Sequence, residues 1–267
     1  MKPEENIFAE ERKHMIVELV NANVKITVAE LCDRFSVSPA TVRNDLRELE
    51  ESGRLKRTHG GAISNRRANF EQDSYQKEVK RVAQKTDIAA AALKYVNEGD
   101  TIVVDTGTTT FEFAKMLQNF ENLNVVTNDI QIAAYLERNT KASIIIAGGA
   151  VRRNYHYTTG QKAIDTITGL NVDRAFIGVN GFSVQKGITV PHIDTAYLKT
   201  KFVEISDEII LLADSTKLDR FSFVKFGDVE DVDVLITDYE ADLDYLETIR
   251  AAGVEVEVAK PKNDNKR

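Results

Sequence analysis

The 267 residues suffice for a small domain beside a medium one, and 42% hydrophobic with 29% charged residues is an ordinary balance for a soluble globular protein. No apolar run approaches a membrane span and Met1-Lys2-Pro3-Glu4-Glu5 is not a secretory leader, so a cytoplasmic protein with no membrane partner is expected. A single cysteine, Cys32, excludes an internal disulfide, and one Cys with four scattered His leaves no zinc site, so neither a metal nor a cofactor is expected.

The net charge of −7 argues against nucleic acid only when read globally. Residues 1–67 carry 12 Lys/Arg against 11 Asp/Glu, and Ser52 to Arg67 holds Arg54, Lys56, Arg57, Arg66 and Arg67 with no acid. A local basic stripe is what phosphate neutralisation requires.

Met15, Ile16, Leu19 and Val20 repeat at helical spacing. Thr27-Val28-Ala29-Glu30 has the form of a capping box, and Val28, Leu31, Cys32 and Phe35 behind it fall on one apolar stripe, which makes Cys32 a core residue rather than a nucleophile. Ser36-Val37-Ser38 is a tight connection. Ser38-Pro39 then starts a third helix, with Val42, Leu46 and Leu49 as its buried stripe and Gly53 as its stop. Its opposite face shows Ala40, Thr41, Arg43, Asn44 and Arg47.

Three helices with a short turn make a helix-turn-helix, whose third helix enters a major groove by its N-terminal end. Ser38, Ala40, Thr41, Arg43, Asn44 and Arg47 are the candidate contacts: Arg43 can bridge guanine O6/N7 and Asn44 can pair adenine N6/N7. Residues 53–62 alternate and turn like a β-wing, placing Lys56, Arg57 and His59 beside the DNA backbone.

After a polar stretch (Ser64 to Gln84, with Phe70 and Tyr75 its main apolar points) short β-branched runs alternate with helical patterns. Seven runs are read as strands: 101–105, 124–127, 142–147, 175–179, 209–213, 232–237 and 254–258. Near-continuous apolar strands separated by helices predict a mostly parallel sheet buried on both faces. The expected fold is therefore an α/β sensor domain with a mostly parallel sheet, preceded by a small α+β winged helix-turn-helix domain. The expected boundaries are 1–63 for the DNA-binding domain, 64–84 for a linker, 85–260 for the sensor and 261–267 for a polar tail.

In doubly wound sheets ligands bind beyond the carboxyl ends of the strands. Asp105-Thr106-Gly107-Thr108-Thr109-Thr110 follows a strand and opens a helix, with small residues and hydroxyls suited to an anion. It is neither a Walker A loop nor a dinucleotide fingerprint. Thr127-Asn128, Gly148-Gly149, Asn180-Gly181 and Ala213-Asp214-Ser215-Thr216-Lys217 close further strands, with Lys217 the best phosphate point charge and Arg152 a second candidate.

Residues 28–62, with Ser38-Pro39-Ala40-Thr41-Val42-Arg43, Asp45-Leu46, Leu49-Glu50 and Arg57-Thr58-His59-Gly60-Gly61-Ala62, resemble the N-terminal domain of DeoR-family regulators. Asn44 stands where that family often has a second Arg, which implies a changed operator preference. Residues 85–258 resemble the DeoR-type sensor, similar in fold to ribose-5-phosphate isomerases, on Gly107-Thr108-Thr109, Leu198-Lys199-Thr200-Lys201 and Ala213-Asp214-Ser215-Thr216-Lys217. The resemblance implies a repressor of a sugar-metabolism operon that binds double-stranded operator DNA as a homodimer or homotetramer. It also implies a phosphorylated sugar as effector, with Lys199 among the effector residues.

The competing expectation is a sugar-phosphate isomerase carrying an accessory DNA-binding domain. Aldose–ketose isomerisation needs a general base. Where such isomerases carry Asp-Gly-Ala-Asp-Glu, Lys-Gly-Gly-Gly and Arg-Glu-Lys, this chain reads Asn180-Gly181-Phe182-Ser183, Lys186-Gly187-Ile188 and Lys199-Thr200-Lys201. The carboxylates are missing and Thr200 stands at the position of the base, so no catalytic residue is expected.

Overall fold

A computed structural model describes residues 8–23, 25–52, 54–64 and 77–261, and the chain divides into two units, Met1–Arg67 and Ala68–Arg267. The expected helix stop at Gly53, the basic Arg66 and Arg67, Phe70 and Tyr75, and the tail from residue 262 lie outside the described residues.

In the first unit, α1 (Ala9–Asn23), α2 (Val28–Phe35) and α3 (Pro39–Glu51) start and stop where local chemistry directs. The Thr27 hydroxyl accepts the Glu30 N–H at 3.2 Å while the Glu30 carboxylate accepts the Thr27 N–H at 2.7 Å, satisfying two donors that the start of α2 would otherwise leave bare. Ser36, left-handed at φ 52°, ends α2, and Ser38 caps α3 by accepting the Thr41 N–H at 3.1 Å. Ile16, Val20, Leu31, Val42, Leu46, Leu49 and Leu55 close the core between them. Each such side chain contributes about 1.5–3 kcal/mol by leaving water.

The wing forms as an antiparallel pair, β2 (Leu55–Thr58) with β3 (Gly61–Ser64). A strand that sequence patterning did not reveal, β1 (Lys25–Thr27), pairs antiparallel with the other edge of β3. Gly61 is what allows it: a Cβ there would stand 2.0 Å from the Ile26 carbonyl oxygen, so any side chain would push β3 away from β1.

All seven expected strands of the second unit are present: β4 (Thr101–Val104), β5 (Asn124–Thr127), β6 (Ser143–Ile146), β9 (Val172–Gly178), β12 (Ser206–Leu212), β14 (Val234–Asp238) and β15 (Glu255–Ala259). They form one sheet in the order β15-β14-β12-β9-β4-β5-β6, every pairing parallel. Helices α4 (Val82–Ala92), α5 (Thr108–Ala114), α6 (Ile130–Asn139), α7 (Gln161–Ile167), α8 (Ile193–Glu204) and α9 (Leu243–Ala251) accompany it. Two buried clusters, one holding Val103, Ile177 and Leu211 and the other Ile102, Phe176 and Ile210, follow from the period-two alternation of β4, β9 and β12 between two covered faces.

Two features depart from the expectation. Edge strand β6 is not buried on both faces, for Ile145 and Ile146 are 38% and 41% exposed. Short antiparallel pieces were also not foreseen. They are the ribbon β7 (Ala150–Arg152) with β8 (Tyr157–Thr159), and a second sheet of β10 (Gly181–Ser183), β11 (Gly187–Val190) and β13 (Val224–Gly227). Runs of three or four residues interrupted by Gly carry too little periodicity to read. Among the described residues, no helix is long and apolar enough to cross a membrane, and no His/Cys/Asp/Glu cluster could hold a metal ion.

Candidate DNA-binding face and effector cleft

Helix α3 separates its two faces cleanly. Val42, Asp45, Leu46 and Leu49 turn inward, while Ser38, Ala40, Arg43, Asn44 and Arg47 are exposed and Thr41 half-buried. The inward Asp45, which pattern reading did not single out, accepts hydrogen bonds from Arg12 Nε at 2.7 Å and Nη2 at 3.1 Å. This bidentate pair pins α1 to α3 and so fixes the angle at which the polar face is presented.

On that face the groups are not equivalent. The Thr41 and Ser38 hydroxyls bond each other at 2.9 Å within the cap. Asn44 donates to Glu48 at 2.8 Å and accepts from Arg47 at 2.5 Å. Arg43 makes no hydrogen bond or ion pair within the described residues, so its guanidinium is available to a base edge or a phosphate. In the wing, Lys56, Arg57 and His59 are all exposed, and Arg57 leans on Glu50 at 3.3 Å.

In the second unit the strand order reverses between β4 and β9: from β4 the chain adds strands outward through β5 to β6, and from β9 through β12 and β14 to β15. A reversal opens a crevice beyond the carboxyl ends of these two strands. There Asp105, fully buried, accepts the Gly178 N–H at 3.0 Å and pairs with Lys199 of α8, which also donates to the Gly178 carbonyl at 2.8 Å. Burial pushes the Asp105 carboxyl above its usual range, against the pull of Lys199 and of the backbone N–H groups. Lys199 is therefore spent on holding β4, β9 and α8 together.

The loop after β4 is also partly committed. The Thr106 hydroxyl donates to Asp129 at 2.7 Å and the Thr110 hydroxyl to the Gly107 carbonyl at 2.9 Å, whereas the Thr108 and Thr109 side chains, half-buried, make no such bond within the described residues. Asp129 was missed, although an Asx residue directly before an apolar helical stretch is a cap signal. It accepts the Gln131 and Ile132 N–H groups at 2.8 and 3.1 Å, and burial raises its carboxyl as well. Thr127 accepts the Asp129 N–H at 3.1 Å, and Asn128 donates to the Thr158 carbonyl at 3.2 Å. Asp105 Oδ1 and Asn128 Oδ1, at the ends of adjacent strands, are buried acceptors that no described donor meets. An unmet acceptor inside a protein is costly, and a hydroxyl satisfies it.

Beyond β12 lies a group of cations. Lys217, half-buried, makes no hydrogen bond or close ion pair within the described residues, and burial depresses its ammonium against the pull of Asp214. Asp214 is itself held below the ordinary carboxylate range: burial opposes this, but Lys217, Thr216 and Arg81 prevail. Arg81 donates to Asp238 and Glu240, each at 3.0 Å, and to the Ser215 hydroxyl at 2.9 Å. Sequence reading had assigned neither Arg81 nor Lys85, the buried lysine of α4. Its signal was present: Lys85 occupies the stripe of Ile88, Ala89 and Ala92 at helical spacing.

The remaining expected residues sit around the rim. Gly148 is half-buried and Gly149 exposed, and a Cβ on Gly149 would meet the Thr159 carbonyl oxygen at 2.5 Å. Asn180 is half-buried and donates its N–H to the Thr189 carbonyl at 3.3 Å, while a Cβ on Gly181 would meet the Arg220 carbonyl oxygen at 2.7 Å. Arg152 is not a loose charge: it stacks 4.0 Å above Tyr155, bonds the Tyr157 hydroxyl, and donates to His192 Nε2 at 2.5 Å. With Ile130, Gln131, Val151, Arg153 and His156 it lines a cavity of about 350 Å³. Thr200 gives its hydroxyl to the Phe226 carbonyl at 2.9 Å.

Residues 12–68 match the family model of the DeoR-like helix-turn-helix domain, and residues 80–239 that of the DeoR C terminal sensor domain. The chain is 38% identical to the HTH-type transcriptional regulator GlpR of Haloferax volcanii, over 92% of this chain and 96% of that one. It is 32% identical to the HTH-type transcriptional repressor GlcR of Bacillus subtilis, over 94% and 96%. It is 30% identical to a putative aga operon transcriptional repressor of Escherichia coli O157:H7, over 92% of each chain. A ribose 5-phosphate isomerase of Methanocaldococcus jannaschii aligns over 50% of this chain and 53% of its own, at 16% identity and a TM-score of 0.38, too loosely to bear on function. With both family models matched in order and relatives aligned end to end, the chain belongs to the DeoR family of DNA-binding transcriptional regulators.

Proposed function

We propose that this regulator represses a sugar-metabolism operon and leaves its operator when a phosphorylated sugar occupies the cleft beyond β4, β9 and β12. The observation that carries the sensing half is Lys217, a cation drawn partly out of water at a strand end with no counter-charge bonded to it. A desolvated cation of this kind is costly in the empty protein and is relieved by an anion. The unmet acceptors Asp105 Oδ1 and Asn128 Oδ1 supply the complementary chemistry for sugar hydroxyls.

Thr108, Thr109, Gly148, Gly149, Arg152, Asn180 and Gly181 complete the proposed effector surface. Ser38, Ala40, Thr41, Arg43, Asn44 and Arg47 of α3, with Lys56, Arg57 and His59 of the wing, form the proposed DNA surface. A homodimer or homotetramer would present recognition helices in two-fold pairs. Turnover is not part of this reading: Thr200, whose hydroxyl is given to a backbone carbonyl, supplies no carboxylate base.

The test is a gel shift on a mapped operator. Effector should lower wild-type DNA affinity by a coupling factor that is typically about 5- to 150-fold. Lys217→Ala should bind operator normally and ignore the effector. A Lys217→Ala protein released at the wild-type ligand concentration would place the anion elsewhere.

A further inference from the structure

The polar face of α3 carries a chain of partners that begins on another helix. Lys13 of α1, with 16% of its side chain exposed, reaches Glu48 at 2.6 Å. Glu48 accepts from the Asn44 amide at 2.8 Å, and the Asn44 side-chain oxygen accepts from Arg47 Nη2 at 2.5 Å. Lys13 holds the Glu48 carboxyl below its ordinary range, with Asn44 and Arg47 adding to the pull and burial opposing it. An ionised carboxylate only accepts and a guanidinium only donates. An amide between the two therefore has one way round: its NH2 goes to Glu48 and its oxygen to Arg47.

This arrangement separates three residues of one helix face. Arg43 makes no hydrogen bond or ion pair within the described residues. Asn44 is tied at both ends of its amide, and pairing adenine N6/N7 would require turning that same NH2 and oxygen toward the base. Doing so would release Arg47 and leave Glu48 with Lys13 alone. Arg47 is held but not covered: 58% of its side chain is exposed, and its Nη1 group has no partner within the described residues. Nη1 and the second Nη2 hydrogen make the forked pair of donors that guanine O6 and N7 accept. A long side chain already held in place also loses less freedom on binding. Arg43 and Arg47 stand one turn apart, about 6 Å along the helix axis, which is close to two base steps of about 3.4 Å each.

We infer that Asn44 is a positioning residue for Arg47 rather than a reader of adenine, and that the operator half-site carries two guanines about two base pairs apart, one read by Arg43 and one by Arg47. The assignment rests on the reading of α3 as the helix that enters the operator groove. What it adds is the identity and spacing of the bases read, and a division of labour among the three side chains. It replaces the adenine contact expected of Asn44.

The experiment has full-length wild type, Arg43→Ala, Asn44→Ala, Arg47→Ala, Arg47→Lys and the Asn44→Ala/Arg47→Ala double variant each select duplexes from a random pool, followed by sequencing of the bound fraction. Far-UV circular dichroism checks that each variant is folded. Gel shifts on the wild-type duplex and its single-base variants give the affinities. Wild type should enrich guanine at two positions about two base pairs apart in each half-site. Arg43→Ala should lose one of these preferences and Arg47→Ala the other, each by about 5- to 150-fold in discrimination. Asn44→Ala should weaken the preference at the Arg47 position by about 2- to 10-fold, and the double variant should read like Arg47→Ala alone. Arg47→Lys should keep its affinity for a scrambled duplex yet lose that guanine, because an ammonium lacks the fork.

An Asn44→Ala protein that erases an adenine at a third position and keeps both guanines makes Asn44 a reader and overturns the assignment. An Asn44→Ala protein with the wild-type motif overturns it as well. Uniform loss of affinity in Arg47→Ala with an unchanged motif makes Arg47 a phosphate contact, which overturns the second guanine while Arg43→Ala still marks α3 as the reading helix. If wild type selects no motif, or none of the variants alters it, the reading of α3 falls together with the assignment.

Discussion

On the recognition helix Arg43 stands in solvent and Arg47 bonds only its neighbours on the same turn, while in the sensor unit Lys85 and Lys199 are drawn to 5% and 4% exposure. Exposed cations on a helix face suit a polyanion that arrives as a long surface, because each contact keeps most of its water until binding and the sum carries the affinity. A buried cation suits one small anion, because the cost of burying it is relieved only when the right charge fills the gap. Among the described residues a buried ion pair braces each unit, Arg12–Asp45 in the first and Lys199–Asp105 in the second.

Breaking those pairs is the harshest test of the contrast. Asp105→Ala leaves Lys199 charged and buried, and should destabilise the sensor unit by about 3–5 kcal/mol in urea denaturation. Adding Lys199→Met should recover much of the loss. Asp45→Ala should cost about 1.5–3 kcal/mol, since the more accessible Arg12 can turn to water. Operator binding should then fail in gel shifts while calorimetric binding of sugar phosphate persists. Loss of both activities from Asp45→Ala would show that the two units do not behave separately.

The buried cation also has a pH signature. Burial, with Lys217 and Lys77 adding repulsion and Asp214 and Glu112 opposing it, lowers Lys85 from 10.5 to about 8. Between those values the unfolded chain binds more protons than the folded one, so the contribution of Lys85 to stability improves as pH rises through that window and is worst below pH 8. Lys85→Met should therefore be more stable than wild type at pH 7, by on the order of 2–3 kcal/mol, with the gap closing toward pH 10.5. A gap independent of pH in paired thermal melts would remove the titration of Lys85 from the explanation.

Surface cations should give smaller effects. Arg43→Ala is expected to cost about 1–3 kcal/mol at one base pair of the operator and nothing on a scrambled duplex. Arg57→Ala should weaken both duplexes alike and reduce the salt slope by about one. Equal loss on both duplexes for Arg43→Ala would move the reading face elsewhere on α3.

The sheet and the helix-turn-helix were legible because their signals are local: β-branched runs of four or more residues, a capping box, and Ser-Pro before a helix. Strand β1 and the ribbon β7–β8 were not, because three-residue strands are made by their partners; Gly61 and Gly149 admit those partners, and nothing in their own sequence says so. The cleft was legible in outline, through the strand ends at Asp105, Asn128, Asn180 and Lys217. Its internal accounting was hidden. That Thr106 and Lys199 are committed inside the protein depends on contacts between residues far apart in the chain, whereas Lys85, a lysine on an apolar helical stripe, was legible in the sequence.

The two ends of the parallel sheet differ in a way that matters at the bench. At β15, Glu255 and Glu257 accept hydrogen bonds from Tyr95, and Lys94 joins Glu257, so charge fringes that margin. At β6 the sheet stops on Ser143-Ile144-Ile145-Ile146, with no charge in the strand and two isoleucines in water. Such a bare margin is a template for indiscriminate strand addition. Aggregation on gentle warming is expected to begin at this margin. Ile145→Lys, which blunts the margin without touching the cleft, should delay it in a light-scattering ramp. On that expectation the two isoleucines bear on shelf life rather than on fold stability.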